Sequence, residues 1–195
     1  NPHFLFNTLN ALSALVLSGR LAEAEHMITN LADFFRTSLT SDPAADVALA
    51  DEIGMQRLYL DIEKIRFPER LSTVMDVPAG LEKARVPGMI LQPLVENAIK
   101  HGVAHSSRPV TVIIRARAAD GALHLAVEDN ADGRAESSAS RRGNGVGLRN
   151  VRDRLVARFD GAASLNTGPR EGSGFKVEIT LPLLVEVDGL AECDD

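Results

Sequence analysis

The chain has 195 residues, of which 45% are hydrophobic and 25% are charged, and these values are typical of a globular protein with one or two domains. Its 21 basic and 27 acidic residues give a formal net charge of −6, and several of the acidic residues crowd the last eight positions. The rest of the chain is nearly neutral, which excludes a general electrostatic attraction for nucleic acid or anionic lipid. Because Cys193 is the only cysteine, an internal disulfide and a thiolate zinc cluster are excluded as well.

No apolar run approaches the roughly 20 residues that a membrane-spanning helix needs, and no charged-then-apolar leader opens the sequence. We therefore expect this part of the protein to be cytoplasmic and to make no membrane contact. The sequence begins at Asn1, without an initiator methionine and inside a helical pattern. We expect it to be a piece of a longer protein, and a membrane anchor elsewhere in that protein is compatible with this interpretation.

Two helices separated by a short break are predicted in the first forty residues. The break is Ser18-Gly19, and Pro43 follows the second helix. Apolar residues recur at helical spacing on both sides of the break, at Phe4, Leu5, Leu9, Leu12, Leu15, Val16, Leu21, Ala24, Met27, Ile28, Leu31, Phe34, Phe35 and Leu39. We predict a helical hairpin over residues 1–45 that serves dimerisation.

A third periodic run, over residues 53–65, stops at Phe67-Pro68 and predicts a linking helix over residues 49–67. The apolar stripes of the preceding hairpin are too wide for two antiparallel helices to bury by themselves. A second copy of the hairpin would cover them in a four-helix arrangement, so we expect a homodimer. The alternative is that the third helix and the rest of the chain cover them.

From residue 70 onward, strand patterns alternate with helical patterns. In chain order they are a strand at 70–77, a helix at 90–99, a hairpin at 110–127, a helix at 148–159 and a hairpin at 163–181. This order predicts an α+β fold, a two-layer sandwich in which helices cover one face of a mixed sheet. Residues 46–185, with the linking helix, form this second domain, and we expect the acidic residues 186–195 to be a disordered tail.

The first candidate binding motif is the polar face of the helix that begins at residue 90, which we expect to continue through His101. It consists of Glu96, Asn97, Lys100 and His101, opposite the apolar face. An amide oxygen beside an ammonium group suits a hydrated Mg²⁺ that carries phosphates, because this ion keeps several waters and needs few protein ligands. Taken alone, such a face is explained more simply by exposure to solvent.

Two further motifs are rich in glycine or acidic residues. Asp129 to Gly133 lie at a strand end, where a carboxylate can accept a hydrogen bond from an exocyclic amine, although ordinary turns have the same composition. Gly143 to Leu148 run into a helix, and backbone amides at a helix N-terminus bind phosphate. This loop does not follow a strand directly, which disfavours a Rossmann turn, and a Walker loop is absent from the sequence.

Together and in this order, the three motifs resemble the ATP-binding domain shared by histidine kinases, type II topoisomerases, a heat-shock chaperone of the same fold and mismatch-repair ATPases. The likeness covers residues 87–182. It implies that ATP binds here, that Asn97 holds Mg²⁺ and that Asp129 accepts a hydrogen bond from the adenine amine. The residues that the resemblance assigns to nucleotide binding are Asn97, Lys100, His101, Asp129, Gly133, Gly143, Gly145, Val146, Gly147, Leu148 and Thr180.

The N-terminal half distinguishes among these relatives. Residues 1–10, Asn-Pro-His-Phe-Leu-Phe-Asn-Thr-Leu-Asn, are similar to the phosphoacceptor box of LytS-type sensor histidine kinases, and residues 59–71 continue the likeness. His3, Asn7 and Asn10 recur at helical spacing as a polar stripe on an otherwise apolar helix. A neutral imidazole can attack a phosphorus atom without first losing a proton, whereas a serine hydroxyl cannot.

The resemblance implies a sensor histidine kinase catalytic core of a two-component system, with ATP and Mg²⁺ as cofactors. His3 is the implied phosphoacceptor, and an aspartate of a cognate response regulator receives the phosphoryl group from it. Phe4 stands where many histidine kinases have an acid that acts as base, so the base is unassigned. Glu96 is one candidate for the base, and Asn7 is a candidate for positioning water when the phosphoryl group is removed.

Ala131 departs from the family pattern, which often has glycine at this position of the first glycine box. A methyl group is strained there only if the backbone φ is positive. Two other functions stay open at this stage. One is an ATPase or ATP-driven clamp of the same fold, in which Glu96 activates water and no phosphohistidine forms. The other is a non-enzymatic dimer module in which Ala131 marks a decayed site.

Overall fold

The computed structural model describes residues 2–42, 45–132 and 145–185. Within the first half of this part, the predicted helices are present as α1 (Pro2–Leu17), α2 (Leu21–Thr40) and α3 (Leu49–Arg66). Gly19 allows the sharp break between α1 and α2, since its φ of 74° lies in the left-handed region that favours glycine. The described helices include none that is both long enough and apolar enough to cross a membrane.

An aromatic cluster joins the three helices. The Phe4 ring lies 5.5 Å from the Phe34 ring and 5.1 Å from the Tyr59 ring, measured between centroids. Helix α3 therefore covers one face of the α1–α2 hairpin, which is the alternative to a second copy of the hairpin. Another face keeps large apolar side chains exposed in the single chain, at Leu9, Val16, Leu17, Leu21, Ile28 and Leu39. Helix α3 therefore covers part of the hairpin, and a second copy as cover for these exposed side chains stays a prediction.

The second half is built on a five-stranded sheet in the order β2-β4-β5-β7-β6. Its strands are β2 (Leu71–Asp76), β4 (Val110–Ala119), β5 (Ala122–Asp129), β6 (Ser164–Pro169) and β7 (Phe175–Pro182). Strand β2 runs parallel to β4, and the other pairs are antiparallel. The helices α4 (Gln92–Ala98) and α5 (Gly145–Phe159) complete the predicted α+β architecture.

The sequence patterns did not predict the short elements of the fold. Strands β1 (Asp46–Ala48) and β3 (Arg85–Pro87) pair as a separate two-stranded ribbon. Three residues are too few for an alternation to be read. Helix α4 begins at Gln92 rather than at residue 90, and a wider π-helical turn, Ile99–Val103, follows it. The predicted helix is therefore present, but it begins two residues later than expected, and its part from Ile99 onward, with Lys100 and His101, is a π-helical turn. Pro93 does lie in the first turn, where it needs no backbone donor.

Candidate functional site

A cavity of about 400 Å³ lies where α1, the end of α3, α4 and the start of α5 meet. This volume is within the range of small-molecule sites. The predicted site residues on its wall are His3, Glu96, Asn97, Lys100, His101, Gly147 and Leu148. The structure therefore brings together the phosphoacceptor candidate and parts of two of the three nucleotide motifs.

Part of the polar face is shielded from solvent, whereas the simpler interpretation of the sequence predicts a fully exposed face. Asn97 is only 8% exposed, and Glu96 is half-buried and accepts a hydrogen bond from Gln92 Nε2 at 3.1 Å. Lys100 is the second residue of the π-helical turn, and it is exposed. The Nδ1–H of His105 donates to the Lys100 carbonyl oxygen at 2.8 Å, which helps to hold this turn in place.

Asp129 ends β5 and is buried, with 2% of its surface exposed. Its Oδ1 accepts a hydrogen bond from the Ala131 N–H at 3.2 Å. A Cβ at Gly102 would lie 2.9 Å from the Asp129 carboxyl carbon, so the end of the π-helical turn is packed directly against this carboxylate. Asp129 is therefore in contact with the helical motif, although it is not part of the cavity wall described above.

The departure at Ala131 carries no backbone strain. The described residues with positive φ other than glycine are Glu69, Met89, Asp120 and Asp160. Ala131 has no positive φ, so its methyl group occupies an ordinary conformation and is buried. The observation that Ala131 replaces a family glycine therefore does not indicate a decayed site.

Thr180 is not brought to the site. It pairs across β5 and β7 with His124, and its hydroxyl lies 3.2 Å from His124 Nδ1. Ile179 and Leu181 are buried on the opposite face of β7, the face that the helices cover. Because strand side chains alternate between faces, Thr180 points away from the helices. The structure therefore does not bring Thr180 to the cavity, and its role in nucleotide binding stays a prediction.

The other predicted nucleotide contacts belong to the two glycine-containing motifs. Gly133 and Gly143 lie outside the described residues, as does the acidic tail 186–195. Gly145 is the first residue of α5, and Val146 is largely exposed, away from the cavity wall. Of this motif, Gly147 and Leu148 line the cavity.

His3 is exposed on α1 and is oriented by the residue one turn later. Asn7 Nδ2 donates a hydrogen bond to His3 Nδ1 at 3.0 Å. The next residue, Phe4, points into the aromatic cluster and is 5% exposed, so the position that carries an acid in many histidine kinases is part of the core here. Phe4 has no titratable group, so this position offers no base.

A buried carboxylate that the sequence interpretation missed holds the segment leading into α4. Glu52 of α3 accepts hydrogen bonds from the N–H groups of Met89 and Leu91, and Met89 has a φ of 57°. Arg154 of α5 donates to the Gly88 carbonyl oxygen at 2.8 Å in the same segment. The only sequence signal for this role of Glu52 was an acidic residue at an inward-facing position of α3. Burial raises the pKa of Glu52, while backbone hydrogen bonds and the Arg154 charge oppose this shift.

This raised pKa predicts a pH dependence of stability. Between the ordinary pKa of a carboxyl and the raised one, the folded protein binds more protons than the unfolded chain, so stability rises as pH falls. We expect the wild-type free energy of unfolding to increase from pH 7 to pH 5 relative to Glu52→Gln, by at most about 1.4 kcal/mol per pH unit. Urea denaturation at three pH values measures this difference. The exposed Glu171→Gln variant should keep the wild-type slope, and parallel slopes for Glu52→Gln and wild type would contradict the assignment.

Comparisons with known proteins agree with this architecture. The family model described as "Histidine kinase-, DNA gyrase B-, and HSP90-like ATPase" matches residues 83–185, and the one described as "Histidine kinase" matches residues 1–71. The histidine kinase domain of the blue-light activated kinase EL346 from Erythrobacter litoralis has a TM-score of 0.53 and 19% identity, covering 94% of this chain and 96% of that chain. At this identity the likeness shows a shared fold alone.

Two curated relatives match nearly the whole chain. Sensor histidine kinase YesM of Bacillus subtilis is 33% identical over 190 residues, which are 96% of this chain. Sensor protein LytS of Bacillus anthracis is 29% identical over 191 residues, which are 93% of this chain. The chain spans 32% of the length of each relative. The chain therefore belongs to the histidine kinase-, DNA gyrase B- and HSP90-like ATPase family, and it has the two-segment organisation of the catalytic region of LytS-type sensor histidine kinases.

Proposed function

We propose that this chain binds ATP together with Mg²⁺ and transfers the γ-phosphoryl group to His3, as the catalytic core of a sensor histidine kinase. The observation that carries the proposal is the shared cavity: His3 of α1 lines the same wall as Asn97, Lys100 and Gly147. Phosphoryl transfer depends on positioning and on neutralising charge far more than on covalent help from the protein. A cavity that joins a nucleophile to a nucleotide motif supplies the positioning.

The residues present fit a nucleotide that carries a divalent cation. Lys100 offers a positive charge to the phosphates, and the backbone amides at the start of α5, near Gly147, offer hydrogen bonds. The amide oxygen of Asn97 suits Mg²⁺, an ion that takes most of its ligands from phosphates and water. When bound, Mg²⁺ supplies positive charge that offsets the charge of the phosphate oxygens. Asp129 is the proposed acceptor for the adenine amine.

In the proposed step, the ring nitrogen of His3 that carries a lone pair forms a bond to the γ-phosphorus. The bond between this phosphorus and the bridging oxygen breaks, and its electron pair leaves on ADP. The proton on the other ring nitrogen then passes to a base, for which Glu96 on the same wall is our candidate. The neutral imidazole therefore attacks without activation by a base, and the base accepts the ring proton once the bond to phosphorus has formed.

Asn7 is proposed to select the tautomer of His3. In the structure its amide donates to Nδ1, which places the ring proton of a neutral imidazole on Nε2. Attack by Nε2 needs the reverse arrangement, in which Nδ1–H donates to the Asn7 oxygen after the amide has turned over. The same amide is positioned to orient water when the phosphoryl group is removed from His3.

Incubation of the purified chain with Mg²⁺ and ATP labelled at the γ-phosphate tests this function. We expect protein-bound phosphate that is stable in alkali and lost in acid, as a phosphoramidate bond requires. Steady release of inorganic phosphate without labelled protein would instead favour the ATPase or clamp. Absence of ATP binding in calorimetry would favour a non-enzymatic module.

The nucleotide part is tested separately at Asp129. We expect Asp129→Asn to weaken ATP binding by about tenfold or more, because the buried acceptor of the adenine amine becomes an amide that can present a donor instead. Calorimetric titration with ATP gives the affinity. Asp132→Asn, which changes an exposed carboxylate three residues later, should stay within about twofold of wild type. Equal affinities of both variants would refute the adenine contact.

The partners are part of the same proposal. A second copy of the α1–α2 hairpin would cover the exposed apolar side chains of Leu9, Val16 and Ile28 in a homodimer. The phosphorylated His3 would then pass its phosphoryl group to an aspartate of a cognate response regulator.

We propose a cytoplasmic location for this region. The domain division at residue 45 also stays a proposal, since α3 packs against both the hairpin and β2.

A further inference from the structure

Arg66 places a guanidinium group in the same cavity as His3. It is the last residue of α3, and its side chain is 17% exposed, on a wall shared with Asn97 and Lys100. Neither α4 nor α5 contributes this cation, so the resemblance to the ATP-binding domain does not account for it. It comes from the segment of the chain that also carries Tyr59 and Glu63 at helical spacing.

The guanidinium is held by a buried acid. Arg66 Nη1 lies 2.6 Å from both carboxylate oxygens of Glu63, whose side chain is 1% exposed. The hydroxyl of Tyr59 also hydrogen-bonds to Glu63, and burial raises the pKa of that carboxyl against the opposing charge of Arg66. Within the described part of the chain, the hydrogen bonds of Arg66 use Nη1, so Nε and Nη2 keep their N–H groups for another acceptor.

The end of α3 is also fastened to the nucleotide motif. The Arg66 guanidinium lies 5.0 Å from the centre of the Phe67 ring, and Arg70 packs on the same ring at 5.5 Å. Arg70 Nη2 donates to the carbonyl oxygens of Val103 and Ser106, at and beyond the end of the π-helical turn. These contacts connect the end of α3 to the π-helical turn that follows α4, and they order the segment that carries Arg66, as a preorganised group requires.

We infer that Arg66 contacts the γ-phosphoryl group of the nucleotide between His3 and Asn97, an inference that rests on the proposed function. Arginine offers several N–H donors in a planar fork that matches phosphate oxygens, and its charge is permanent. A cation in the cavity shared by the nucleophile and the nucleotide motif would neutralise the negative charge of the transferred group, which otherwise repels the attacking ring. Glu63 then serves as a positioning residue that aims the guanidinium.

The alternative is that Arg66 only neutralises the buried Glu63. Both interpretations predict that Arg66→Gln destabilises the fold, because Glu63 is left buried without its partner. The informative background is therefore the double variant Glu63→Gln/Arg66→Gln, which removes both charges. Its folding is checked by thermal denaturation, and Arg66→Lys serves as the conservative variant that keeps a cation without the fork.

The test compares two nucleotides that differ in the γ-phosphoryl group, ADP and the non-hydrolysable AMP-PNP, titrated with Mg²⁺ into each protein by calorimetry. We expect the double variant to lose AMP-PNP affinity by about tenfold or more while its ADP affinity stays within about twofold of wild type. Arg66→Lys should recover part of the AMP-PNP affinity. An unchanged preference for AMP-PNP in the double variant, or equal losses for both nucleotides, would overturn the inference.

The proposed function fails in a different way. If the wild-type chain binds neither nucleotide, or binds both without labelling His3, the kinase proposal is wrong whatever Arg66 does. If the wild type binds AMP-PNP and becomes labelled while the double variant matches it in nucleotide preference, only the role of Arg66 is wrong. The labelling rate of Arg66→Lys gives an independent readout, which we expect to lie between those of wild type and the double variant.

Discussion

Replacing His3 by glutamine is expected to abolish phosphate labelling of the protein, by at least about a thousandfold, because glutamine keeps a polar side chain but has no ring nitrogen to form a P–N bond. His3 is the proposed phosphoacceptor, and it lines the cavity together with Asn97 and Lys100. The measurement is the initial rate of alkali-stable, acid-labile labelling with Mg²⁺ and ATP at saturating nucleotide.

The chain provides a matched control on the next helix. His26 of α2 lies one turn before Asn30, and the two side chains are 3.1 Å apart, as in the His3–Asn7 pair. His26 does not line the cavity. We expect His26→Gln to keep the wild-type labelling rate within about twofold, because local pairing with an amide is not sufficient without the neighbouring nucleotide site. Equal labelling of His3→Gln and wild type would show that another residue accepts the phosphoryl group.

Replacing Gly174 by alanine is expected to destabilise the fold by at least about 3 kcal/mol and to weaken ATP binding. Gly174 has a φ of 99°, and a Cβ there would lie 1.8 Å from the Asp129 carbonyl oxygen. The new methyl group therefore has to push the end of β5 away from β7. Because the same residue carries the buried carboxylate proposed to bind adenine, stability and nucleotide affinity should fall together.

Gly172 separates the effect of the backbone conformation from that of the collision. Its φ of 89° is similar, but a Cβ there would meet nothing within 4 Å. We expect Gly172→Ala to cost only roughly 1–2 kcal/mol, the penalty for a left-handed conformation, and to leave ATP affinity near that of wild type. Urea denaturation and calorimetry on both variants give the comparison. If Gly174→Ala were as stable as Gly172→Ala, the backbone at the end of β5 could move away from the new methyl group at little cost in free energy.

Much of the fold could be predicted because the longer elements carry their own signals. Apolar residues at helical spacing identify α1, α2 and α3, and the turn at Asp120-Gly121 has the positive φ values that this pair favours. The two-stranded ribbon and the π-helical turn could not be predicted, since three-residue strands show no period and a π turn contains the same residue types as an α-helix. Thr180 is a different case, because the alternation of Val177, Ile179 and Leu181 already placed it on the other face.

By themselves, the residues of the chain determined the motifs that identify the family: the phosphoacceptor box at residues 1–10 and the three nucleotide-binding motifs after residue 90. Such motifs are local, so their residue types and spacing are visible in the sequence. Only the tertiary structure decided that His3 and Arg66 share a cavity with Asn97, and that Gly102 and Gly174 press on Asp129. These contacts join positions far apart along the chain, and they depend on helix packing and strand register rather than on any local preference.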